Sequence, residues 1–155
     1  MTRETRKLLA RRYLSDASLN EFVDWAVVLL EAGQDTDHLR MLASLGNAAN
    51  RADVAYYFEQ SLSELGWEAP EPTSLIHHYA QDLAEDIVDG TVAPIDGCHQ
   101  MYSLYCLLDA PFEMQVWLYL DDQLEQGTYR ELEGADWEAA IRRAAQGFQP
   151  IESKP

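Results

Sequence analysis

Two groups of side chains have the types and spacing for chemistry. His78, Asp82, Glu85, Asp86 and Asp89 recur at helical intervals, and Asp121, Asp122 and Glu125 follow in a later segment. Imidazole and carboxylate on packed helices can hold iron, manganese or zinc, so His78, Asp82 and Glu85 define a candidate metal site. The Glu-x-x-His signature of di-iron bundles is absent. Asp35-x-x-His38 and Asp96-x-x-His99 come nearest, but both open helices, where Asp acts as a cap or dipole partner. The acids of 82–89 also lie opposite the stripe Ile76, Tyr79, Ala80, Leu83, Ala84 and Ile87. The expectation is a solvated acidic face, with no metal or other cofactor.

Cys98-His99 with Cys106 could suggest nucleophilic catalysis. Neighbours on a helix point about 100° apart, so Cys98 and His99 do not face each other. Cys98 and Cys106 are eight residues apart, about 12 Å along one helix. Disulfide Cα atoms must come within about 7 Å, so the pair cannot bridge there. Free thiols fit a cytoplasmic location. His77-His78 is expected to be structural or superficial. No phosphate loop, nucleophile elbow, paired CxxC or His-Glu-x-x-His appears, so no catalytic residue is assigned. The aromatics Trp25, Tyr56, Trp67, Trp117 and Tyr119 are the remaining candidates; Tyr56 and Trp67 suit an interface at an acidic rim.

These residues must be positioned by a chain of 155 residues, 47% apolar, with 27 acidic and 11 basic side chains and a net charge of −16. That charge argues against nucleic acid and anionic membrane as partners. No apolar run approaches the ~18 residues of a membrane span, and no secretory signal is expected after Met1-Thr2-Arg3-Glu4. The charge is uneven. Residues 1–14 carry Arg3, Arg6, Lys7, Arg11 and Arg12 against Glu4 alone, whereas Ala52 to Tyr129 holds fifteen acids and no Lys or Arg.

The punctuation is helical. A basic helix covers about 3–14. Ser18 and Glu21 form a capping box for a second helix closed by Gly33. Further helices run from about Thr36 to Gly46, Asn50 to Gly66, Thr73 to Gly90, Pro94 to Leu108, and Asp136 to Gln146. Asp109 and Pro111 open one more, through Val116–Leu120, a run that would also suit a buried strand. The prolines of Trp67–Pro72 mark an internal loop. The expected fold is all-α: a single compact domain of about seven to eight short helices in an irregular bundle. It spans 1–148, with the basic helix on an acidic body (18–148) and a loose tail at 149–155.

The segments Arg12-Tyr13-Leu14, Leu19–Gly33, Leu39–Leu45, Glu64-Leu65-Gly66 and Tyr119–Asp122 resemble a group of small stand-alone bacterial all-helical proteins of uncharacterised function. The resemblance implies a one-domain helical bacterial protein and transfers no active site.

The expected function is non-catalytic binding of a basic protein, immunity- or antitoxin-like. Asp82, Glu85, Asp86, Asp89, Asp121, Asp122, Glu125, Tyr56 and Trp67 would form the contact. The alternatives are a small metal-dependent enzyme and a structural subunit or homodimer.

Overall fold

A computed structural model of the chain describes residues 1–46, 50–125 and 134–148, without the side chains of 134–136. The expected tail, 149–155, lies outside the described residues. Among them the chain is all-α, an irregular set of eight helices with no strand. They are α1 (Arg3–Tyr13), α2 (Leu19–Glu31), α3 (Asp37–Ser44), α4 (Arg51–Glu64), α5 (Pro72–Asp89), α6 (Pro94–Leu107), α7 (Gln115–Glu125) and α8 (Gly134–Gln146), with a 3-10 turn at Phe112–Met114. They divide into two compact units, Met1–Leu75 and Ile76–Pro155.

In the first unit, local chemistry sets the helix starts. Both the N–H and the hydroxyl of Ser18 donate to Glu21 Oε1, at 3.0 and 2.9 Å, opening α2. Asn50 Oδ1 accepts from the Asp53 N–H at 3.0 Å, opening α4. The core centres on Phe58, fully buried, whose ring meets Phe22 and Trp25 edge-on at 5.0 and 4.9 Å. Such edge-to-face pairs add about 0.5–1.5 kcal/mol beyond area burial. Trp25 Nε1 donates to Thr5 Oγ1 at 2.9 Å, so the indole tip is satisfied by the buried face of α1. The basic residues of α1 meet carboxylates here: Arg11 pairs with Asp16 and Glu21, and Arg12 with Glu59. Arg12 also stacks over Phe58, 5.5 Å from its centroid.

In the second unit, α6 buries Cys98, Met101, Leu104 and Tyr105. Met114, Trp117, Leu120 and Leu124 pack from the following segment, and Trp137, Ile141 and Ala145 from α8. Gly97 is what lets α6 approach α5. A Cβ there would stand 2.4 Å from Ile87 Cγ1, closer than atoms can pack. Arg142 Nη1 donates to the Ile87 carbonyl at 2.8 Å, so α8 satisfies a carbonyl near the C-terminus of α5.

The expected helix through Val116–Leu120 forms, while the cap expected of Asp109 does not. Val116–Leu120 is helical: Trp117 and Leu120 are buried while Val116, Leu118 and Tyr119 are exposed, a 3.6-residue rather than a two-residue period. Asp109 does not cap α7. It and Ala110 lie in the left-handed region, φ 60° and 56°, and Pro111 precedes the 3-10 turn without a side-chain cap. Leu107 is 57% exposed, because it continues the outward stripe of His99, Gln100, Ser103 and Cys106 on α6.

Gly97→Ala is expected to destabilise the protein by about 1–3 kcal/mol, the usual range for overpacking a tight contact. An unchanged melting temperature would contradict the close approach of α5 and α6.

Candidate functional site

The helical wheel of α5 explains where its acids go. At about 100° per residue, Asp82 and Asp86 fall within roughly 20–60° of Leu75 and Tyr79, which are buried. Both carboxylate residues are accordingly buried, at 7% and 9% exposure, not solvated as expected. His78, Glu85 and Asp89 lie on the outward side and are exposed. Glu85 and Asp89 rim a depression of about 360 Å³, with Ala84, Val88, Ala145 and Phe148 among its walls.

The second acidic group also splits. Asp121 is buried, at 3% exposure, whereas Asp122 and Glu125 are exposed. His99 Nδ1 lies 2.6 Å from Asp121 Oδ1 and ties α6 to α7. The imidazole side chain is half exposed, at 49%. The sequence presented His99 beside Cys98 and in Asp96-x-x-His99; its partner is 22 residues away.

An imidazole held by a buried carboxylate is half of a nucleophilic triad. The nucleophile is missing among the described residues. Cys98 is fully buried, and its thiol is pushed up to about 12, by burial first and then by the negative charge of Asp121. Ser103 donates its hydroxyl to the His99 backbone carbonyl at 2.9 Å, not to the ring. Cys106 is exposed but hydrogen-bonded to Tyr102. That bond raises the Tyr102 hydroxyl above its usual range, with the charges of Cys106, Asp121 and Glu125 acting the same way. The His99–Asp121 contact joins α6 to α7. Among the described residues, no three His, Cys, Asp or Glu gather where they could hold a metal ion, so His78, Asp82 and Glu85 do not form the ligand set considered above.

The two aromatic candidates lie in the first unit. Tyr56 is 54% exposed, its ring 5.4 Å from Tyr57 and 5.9 Å from His38. His38 Nδ1 lies 2.6 Å from Glu64 Oε1. Glu64 is lowered by its hydrogen bonds to Thr36 and then His38. Trp67 is half-buried along a groove of about 490 Å³ between α1 and α4, with Leu9, Leu62 and the Arg12–Glu59 pair.

Beside Tyr119, already a candidate, two exposed apolar residues escaped the sequence: Phe112 and Val116. Phe112 is 79% exposed, the highest value among the exposed large hydrophobic residues, and Val116 and Tyr119 follow it on the outer side at 42% and 62%. Pro111, directly before Phe112, was the available signal of a turn there. No family model, no curated protein and no solved structure matches the chain.

At about pH 8, iodoacetamide is expected to modify Cys106 and spare Cys98 until denaturant is added, since only the thiolate reacts. The folded state holds the Cys98 proton more tightly than the unfolded chain, where the thiol titrates near 9.0. The associated stability is present below that pH and is lost as pH rises towards about 12. Equal modification rates for both cysteines in the native protein would contradict this burial.

Proposed function

We propose that this chain is a non-catalytic binding protein for a basic protein partner, acting as immunity or antitoxin proteins act, by covering a functional surface. The observation that carries the proposal is the charge of the second unit. Residues 76–155 hold fifteen acids against Arg130, Arg142, Arg143 and Lys154, and Glu85, Asp89, Glu113, Asp122 and Glu125 are exposed there. A field of one sign attracts an oppositely charged partner and raises its association rate. In the first unit, by contrast, Arg11, Arg12 and Arg40 have carboxylate partners of their own.

Two further features support the reading. The imidazole–carboxylate pair has no nucleophile beside it among the described residues, and the exposed acids there are distributed along α5 and α7 without converging on one point. Such a layout suits contact with a broad basic surface better than a reaction. The contact residues proposed from the sequence reduce to those at the surface: Glu85, Asp89, Asp122 and Glu125, with Tyr56 and Trp67 in the first unit. Asp82, Asp86 and Asp121 shape the fold behind them.

Capture from native lysate with the tagged protein tests the proposal. One basic protein retained at low salt and released at high salt is the expected result. The variant Glu85→Lys, Asp89→Lys, Asp122→Lys and Glu125→Lys should bind it at least about tenfold more weakly, because like charges then oppose each other. Equal retention by the variant would overturn the proposal.

A further inference from the structure

We infer that the outer face of the 3-10 turn and α7 is the partner-facing surface, and that it engages an amphipathic basic segment, apolar at its centre and flanked by Lys or Arg. This rests on the function proposed above and deepens it.

Val116 and Tyr119 stand three residues apart on one side of α7, and Phe112 lies in the 3-10 turn that leads into it. All three are exposed, Phe112 most of all. Asp122 stands one turn beyond Tyr119 on the same side, Glu113 follows Phe112 directly, and Glu125 lies a turn beyond Asp122; all three are exposed. An apolar centre with carboxylates at its edge matches the usual anatomy of an interface, and the sign of the edge selects a basic partner.

The face is also held in place. Met114, Trp117, Leu120 and Leu124 are buried beneath it, and the Asp121–His99 hydrogen bond fixes α7 to α6. The chain enters it through two consecutive non-glycine residues in the left-handed region, Asp109 and Ala110. L-residues adopt that conformation at an energetic cost, and such strain concentrates where a protein presents functional groups. Anchors that are already ordered lose little freedom on binding.

A second copy of the chain fits the face poorly. A two-fold contact sets the same patch on both sides. Glu113, Asp122 and Glu125 would then face their own counterparts, with no Lys or Arg anywhere in residues 52–129 to answer them.

The test uses the full chain, labelled for backbone NMR, and a synthetic Leu/Lys amphipathic peptide of about 14 residues, four helical turns. Saturable shifts are expected on residues 107–125, weakening as salt is raised. The doubly substituted protein Phe112→Ser, Tyr119→Ser should bind about tenfold or more weakly, as loss of central aromatic anchors does. A Lys/Gln peptide without an apolar face should lose as much. Both substituted residues are exposed, and an unchanged melting curve will verify that the variant folds. Shifts confined to Glu85 and Asp89, or spread evenly over the acidic surface, would overturn this placement while leaving the basic-partner reading in force. Failure of any cationic peptide to bind would remove that reading as well. A wild-type dimer dissolved by Phe112→Ser in sedimentation would assign the face to a second copy and overturn the inference.

Discussion

Asp121 is buried in a stretch with no Lys or Arg, and the group it meets is the imidazole of His99. Leaving such a charge unanswered in the interior would be costly. The 2.6 Å contact between His99 and Asp121 avoids that, and it joins α6 to α7. Once Asp121 points inward, helical geometry decides the rest of α7. Trp117, Leu120 and Leu124 go down with it, and Val116, Tyr119 and Asp122 come out. The identity of the exposed face thus follows from which carboxylate is buried.

The two units handle charge differently. The first mixes signs, and its arginines find acids close by, Arg40 gripping Asp35 through two bonds of 2.6 and 2.7 Å. Pairs this exposed contribute little to stability, but they cancel the field around them. The second unit has exposed acids and, up to residue 129, no Lys or Arg of its own. Its stability depends on apolar packing around Trp117, Ile87, Ile141 and the α5–α6 approach permitted by Gly97.

The helices were legible from sequence because their ends are local chemistry. Ser18 with Glu21, Thr36, Asn50, and the left-handed glycines Gly33, Gly66 and Gly90 each act within a few residues. The candidate site was less so. Asp82 and Asp86 sit at the margin of an apolar stripe, where a polar residue can turn either way, and packing from other elements decides. The partnership of His99 with Asp121 is a tertiary fact invisible to periodicity. Leu107 and Phe112 look like core residues by type. Leu107 is exposed because it shares the outward stripe of α6 with Gln100 and Ser103, and Phe112 because it lies in the 3-10 turn that follows Asp109 and Ala110.

The most direct measurement is position-resolved photo-crosslinking in the native host. A photoreactive phenylalanine analogue would replace Phe112 or Tyr119 in one pair of proteins, and Val28 or Met41, which are exposed in the first unit, in another. The account predicts one crosslinked basic protein from the first pair and none from the second. Crosslinks of equal yield from both pairs, or from the second alone, would contradict it.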